Sequence, residues 1–297
     1  VEYDLSPIDP AAVWPGVLQA DSMWCNAKEA SYKKQLRNVY NNYNYYKNIT
    51  AVLKKHLVDN FTEENQYRQF LSCIYDDLAD DEVELSEVPK ISLITSVYNA
   101  GDHIEQLMEN ITSQTIFQEK CEWILMNVNP EGQNFEEEVI KKYKKKYPKN
   151  IIYKRYKKDP GVYGIWNRGI KLSSGEFVTN VNCDDRRRKD GLEKQAKMLV
   201  SNPDISLVYN DSFVVHEPNI TCDNLPPTAK RYKFEEFSKE AMLRGNLPHN
   251  NPMWRKSLHE KYGYFNQKYR SAGDWDFWLR CSLAGEVFKK HSEVLGV

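Results

Sequence analysis

Phe177-Val178-Thr179-Asn180-Val181-Asn182-Cys183-Asp184-Asp185 is the stretch whose reading decides the fold. Its first half is an apolar, β-branched run that reads as a strand. It passes without a break into two adjacent carboxylates. Upstream the same kind of run recurs: Ile91-Ser92-Leu93-Ile94-Thr95-Ser96-Val97, then Trp123-Ile124-Leu125-Met126, then Ile151-Ile152-Tyr153. Helical patterns separate these runs. Residues 102–114 place Ile104, Leu107, Met108 and Ile111 on one face; residues 135–147 form a charged helix stopped by Pro148; Trp166 to Leu172 lie in another helix. Strands alternating with helices predict an α/β fold, a Rossmann-like, mostly parallel sheet flanked by helices. Ligands in such sheets gather at the carboxyl ends of the strands, which is where Asp184 and Asp185 stand.

The 297 residues are 41% apolar and 28% charged, which suits a globular chain of one large domain or two unequal ones. A net charge of -1 gives no basic field for nucleic acid or an anionic membrane, so no nucleic-acid partner is expected. No stretch approaches the ~20 apolar residues of a membrane span. Val1-Glu2-Tyr3-Asp4 has neither a starting Met nor a signal-peptide pattern, so the chain is expected to be part of a longer multidomain protein. Cys25, Cys73, Cys121, Cys183, Cys222 and Cys281 are scattered without metal-ligand or redox spacing, which points to free thiols and a cytoplasmic location.

Three regions separate by pattern. Residues 1–75 read as a helical N-terminal region, with Leu36, Val39, Tyr40 and Tyr43 at three- and four-residue steps. Residues 76–88 read as an acidic linker, opened by Asp76-Asp77-Leu78-Ala79-Asp80-Asp81-Glu82. Residues 89–297 carry the alternating pattern.

Three constellations could carry chemistry. Asp184 and Asp185 repel each other unless something positive lies beside them, and Mg²⁺ or Mn²⁺ answers this with oxygen ligands. The alternative is a helix N-cap, with Arg186, Arg187, Arg188 and Lys189 as neutralising surface charge. Gly273-Asp274-Trp275-Asp276-Phe277-Trp278 interleaves two carboxylates with aromatics, either as a sugar-binding and base-supplying element or as an amphipathic helix with acidic caps. His249-Asn250-Asn251-Pro252-Met253-Trp254-Arg255 reads as a loop that contacts an acceptor or closes a turn.

The order of these pieces resembles glycosyltransferase family 2, from about Pro89 to Val297. Ile91 to Asn99 resembles the family's opening strand and nucleotide-contacting loop; Gly101 to Thr115 its first helix; Asp159-Pro160-Gly161-Val162-Tyr163, Trp166-Asn167-Arg168-Gly169 and Ser174-Gly175-Glu176-Phe177 the approach to the acid motif. Asn182-Cys183-Asp184-Asp185 takes the place of the metal-binding Asp-x-Asp, and Gly273-Asp274 that of the Glu-Asp element whose Asp is the general base. Each is unspecific alone; five in this order are not.

The resemblance implies a GT-A fold and a metal-assisted, inverting glycosyltransferase, hexosyltransferase-like, with a nucleoside diphosphate sugar as donor and a glycan or polysaccharide hydroxyl as acceptor. It implies Asp274 as catalytic base and Asp184 and Asp185 as metal ligands. Tyr98, Asn99, Asn127, Asn167, Arg168, Asn182 and Asp184 become the donor contacts, and His249, Trp275 and Asp276 the acceptor side. Three positions depart from the pattern: Asn182 replaces the first metal-motif Asp, Asn127 replaces an Asp near the nucleotide base, and Gly273 replaces the Glu. These departures keep open a non-catalytic nucleotide-sugar-binding or scaffolding module. A nucleotidyltransferase would want a Gly-rich loop where residues 96–101 have only Gly101. Residues 14–75, with Trp14-Pro15-Gly16 and Phe61-Thr62-Glu63-Glu64, resemble the C-terminal tail of a family 4, GT-B type glycosyltransferase.

Overall fold

The computed structural model describes residues 1–13, 20–62, 66, 70, 83–132, 135–217 and 220–297. It divides into two compact units, Val1–Leu71 and Ser72–Val297. In the first, β1 (Tyr3–Pro7) pairs antiparallel with β2 (Met23–Ala27). Two helices follow, α1 (Glu29–Asn41) and α2 (Tyr43–Asn60). The region read as helical from sequence thus opens on a strand pair, and its helices are separated at Asn42, whose φ of -117° and ψ of 33° leave the helical well. Trp14-Pro15-Gly16, Glu63-Glu64 and the acidic run 76–82 lie outside the described residues.

The second unit is the α/β fold expected from the alternation. Strand β3 (Ile91–Val97) pairs parallel with β4 (Cys121–Asn127) and β6 (Phe177–Asn180), and β4 with β5 (Ile151–Arg155). Helices α3 (Gly101–Thr112), α4 (Phe117–Lys120), α5 (Phe135–Lys146) and α6 (Val162–Leu172) connect them. Strand β3 is buried on both faces, so its alternate side chains enter different cores: Leu93 and Val97 join Ile104, Leu107 and Ile111, whereas Ile94 joins Ile124, Tyr163 and Trp254. Helix α6 lies so close to the sheet that a Cβ at Gly169 would sit 2.5 Å from Ile94 Cγ2.

Beyond β6 the sheet turns mixed. Helix α7 (Gly191–Ser201) leads to β7 (Ile205–Val214), which pairs antiparallel with β8 (Lys230–Tyr232). After α8 (Lys239–Arg244), the short β9 (Met253–Arg255) slots between β6 and β7, antiparallel to both. Helices α9 (Ser257–Tyr262) and α10 (Gly273–Leu283) precede β10 (Val287–Gly296), parallel to β7. The strand order is β10-β7-β9-β6-β3-β4-β5. β9 falls where a loop was expected; three residues after Pro252 offer no period to read.

Candidate active site

The acid motif sits in the bend that follows β6. Helix α7 begins only at Gly191 with Asp190 as its N-cap, so Asp184 and Asp185 cap no helix. Asp184 is exposed and Asp185 partly buried. Asn182 Nδ2 donates to Asp185 Oδ2 at 2.8 Å, and Asn250 Nδ2 lies 3.5 Å from Asp185 Oδ1. Asn182 thus orients the neighbouring carboxylate with its amide.

Of the three arginines that the alternative reading made surface charge, Arg186 and Arg187 are buried and Arg188 is partly buried. Arg186 Nη1 donates to the carbonyls of Cys183 (2.9 Å) and Asp185 (2.7 Å), and Nη2 to that of His103 (3.2 Å). Arg187, 2% exposed, donates to Gln195 Oε1 at 2.7 Å, to the Asn180 carbonyl at 3.1 Å and to the Thr179 hydroxyl. Burial, then the charge of Asp184, raises the Asp185 pKa, against Asn182 and Arg187. Burial draws the Arg187 guanidinium down to about 10. The charge of Asp184 therefore repels that of Asp185, and the nearby Arg187 offsets part of it.

A hard divalent cation fits this donor set: two carboxylates, with room for water and phosphate oxygens. Among the described residues no group of three or more His, Cys, Asp or Glu is placed to hold a metal ion.

Asp274 lies in the first turn of α10. The Tyr163 hydroxyl donates to its Oδ1 at 2.9 Å and Asn246 Nδ2 to its Oδ2 at 2.7 Å. Burial first, and the Asp274 charge second, push the Tyr163 phenol up to about 12, so it remains a donor. A Cβ at Gly273 would sit 2.7 Å from Tyr163 Cδ2 and Cε2. The ring occupies the space that a Glu at 273 would need.

One loop serves both acids. Asn246 holds Asp274 and Asn250 faces Asp185, four residues apart in sequence (250 - 246 = 4). Asn251, with φ at 54°, turns the chain there, and its carbonyl accepts from Gln195 Nε2 at 2.8 Å.

The other expected residues separate into two groups. At the ends of β3 and β4, Tyr98 is exposed, the Asn99 N–H donates to Asn129 Oδ1 at 2.7 Å, and the Asn129 N–H donates to Asn127 Oδ1 at 2.9 Å. Arg168 is exposed, its guanidinium 4.8 Å from the Tyr156 ring centre. Asn167, in contrast, pairs with the main chain of Phe265 in both directions, at 2.8 and 3.0 Å. This is a framework role in place of the expected donor contact. Trp275 Nε1 donates to the Met242 carbonyl at 2.8 Å, and Asp276 pairs with Arg280 at 3.2 Å, so both brace α10. His249 is exposed and stacks on Phe234.

Sequence reasoning missed Asn246, Asn129, Tyr232 and Phe234. Asn129 had a local signal in the Asn-Val-Asn step after β4. Asn246 meets Asp274 across 28 residues, and nothing in its own neighbourhood announces that.

The sequence profile described as Glycosyl transferase family 2 matches residues 92–263, more than half of the chain. The chain belongs to glycosyltransferase family 2. It is similar to an uncharacterized glycosyltransferase, MJ1057, of Methanocaldococcus jannaschii, 27% identical over 194 residues that cover 65% of the chain and 64% of the relative. S. aureus TarS 1-349, solved in complex with UDP-GlcNAc, superposes with a TM-score of 0.55 at 18% identity, covering 70% of this chain and 57% of that one. The mannosyltransferase PcManGT from Pyrobaculum calidifontis, solved with GDP-Man and Mn²⁺, gives 0.52 at 17%, covering 70% and 56%. The chain thus spans less than two-thirds of each relative's length. The fold is of the GT-A type, and the family domain is a glycosyltransferase domain.

Proposed function

We propose that this domain transfers a sugar from a nucleoside diphosphate sugar to a hydroxyl of a glycan, with inversion in a single displacement. The observation that carries this reading is the loop shared by the two acid elements: Asn246 Nδ2 bonds Asp274 at 2.7 Å, and Asn250 Nδ2 lies 3.5 Å from Asp185. Family membership supports transfer, and the complexes of TarS with UDP-GlcNAc and of PcManGT with GDP-Man and Mn²⁺ support the donor class and the metal.

Asp184 and Asp185 would hold Mg²⁺ or Mn²⁺, whose chemistry is to offset charge on a departing diphosphate. Asn182 orients Asp185 through its hydrogen bond, and the charge of Arg187 favours the ionised carboxylate. Asp274 takes the proton of the acceptor hydroxyl, while Tyr163 and Asn246 fix the carboxylate plane. Tyr98, Asn99 and Asn127 border the nucleotide, Arg168 the diphosphate or sugar, and His249 the acceptor. Among the described residues no helix is long and apolar enough to cross a membrane.

The test is thermal melting of the wild-type and Asp184→Ala chains with UDP, GDP or CDP, with and without Mn²⁺. A nucleotide at 100 times its Kd adds about 2.7 kcal/mol. Metal-dependent stabilisation in the wild type alone supports the assignment; equal stabilisation of both chains refutes it.

A further inference from the structure

A cavity of about 760 Å³ is lined by Asp184 and Asp185 and also by Tyr232, Phe234 and His249. The volume lies in the range of about 300–1,000 Å³ usual for small-molecule sites. Tyr232 and Phe234 have ring centres 4.8 Å apart, tilted by 56°, and His249 stacks on Phe234 at 6.2 Å and 25°. Tyr232 is 57% exposed, so core packing does not account for it.

The wall is held in place from behind. The Phe234 N–H donates to Asp211 Oδ1 at 2.9 Å. Asp211, 1% exposed, also takes Arg231 Nε at 2.9 Å, and Lys290 lies 3.8 Å away. A buried carboxylate with two cations around it fixes β8 and the segment after it, which carry the two rings.

We propose that Tyr232 and Phe234 form the floor of an acceptor subsite that takes a pyranose ring. The inference rests on the donor reading above and adds the substrate face. A pyranose has an apolar C–H face and a rim of hydroxyls. The aromatic rings of Tyr232 and Phe234, with His216, Glu217 and Asp184 in the same lining, match both features. The strand order separates this wall from the nucleotide side. The acids follow β6, the wall rises from β7 and β8 on one flank, and Tyr98, Asn99 and Asn127 end β3 and β4 on the other.

The experiment is saturation-transfer NMR on the whole chain with methyl β-D-glucopyranoside, methyl β-D-galactopyranoside and methyl N-acetyl-β-D-glucosaminide. UDP and Mn²⁺ are titrated in parallel. At least one pyranoside should show transfer to the axial protons of one face. Tyr232→Ala and Phe234→Ala should weaken its binding about tenfold, and Phe234→Trp should retain it. Tyr232 is exposed, so its variant should melt like the wild type. Transfer from no pyranoside, equal transfer in both alanine variants, or displacement of the pyranoside by UDP would overturn the proposal. Loss of UDP binding with pyranoside transfer intact would instead count against the donor reading alone.

Discussion

The Tyr163 hydroxyl donates to Asp274 at 2.9 Å, and the ring that carries it lies against Gly273, where an added Cβ would meet it at 2.7 Å. The Gly at 273 and the bond to Asp274 are therefore one arrangement. Gly273 is small because Tyr163 is there, and Tyr163 holds Asp274.

Tyr163→Phe should keep the fold and lose one hydrogen bond to a charged group, worth about 1.5–3 kcal/mol. Turnover should fall roughly tenfold to a hundredfold, with donor affinity unchanged. Gly273→Glu should do more harm than Tyr163→Phe, because it displaces the ring and overpacks the site by about 1–3 kcal/mol. Steady-state kinetics and melting temperatures of the two variants check this order; an active, stable Gly273→Glu chain would contradict it.

Asn182→Asp replaces a donor to Asp185, now at 2.8 Å, by a third negative charge. Without metal the variant should melt lower than the wild type, by about 1–3 kcal/mol in stability. Mn²⁺ should recover more stability in the variant than in the wild type, since a cation answers the added charge. Calorimetry with and without Mn²⁺ reads both effects.

His259 supplies a pH dependence remote from the acids. Its ring stacks between Phe277 at 4.5 Å and Tyr264 at 5.4 Å, Nε2 accepts from Trp254 Nε1 at 3.0 Å, and Nδ1 lies 3.0 Å from the Gly263 carbonyl. Burial chiefly lowers its pKa from 6.5 to about 4. Between those values the unfolded chain binds a proton that the folded chain refuses. Stability contributed by this site is therefore full above pH 6.5 and falls as pH drops toward 4. The loss should approach about 3 kcal/mol at the acid end. Denaturant melts at pH 7 and pH 4.5 should show a smaller difference for His259→Gln than for the wild type; equal differences would contradict it.

The sheet from β3 to β6 was legible because each strand is a short apolar run and each helix a 3.6-residue stripe. Strand β9 was not, since three residues carry no period. The acids could be placed at a strand end from local pattern, but their partners could not. Tyr163 and Asp274 are 111 residues apart, and Asn246 and Asp274 are 28 apart. The arginines after Asp185 were misread for a related reason: a charge run looks solvated until the fold buries Arg186 and Arg187 beneath it. Asn167 resembled a ligand contact by position, and only the structure shows its amide paired with Phe265.

The most direct test is turnover of UDP-, GDP- and CDP-sugars with Mn²⁺ by the wild-type chain and by Asp274→Asn. The variant should keep its donor affinity and lose about 10²–10⁴-fold in turnover, the usual worth of a general base. An Asp274→Asn chain that turns over donor like the wild type would contradict the assignment of Asp274 as the base.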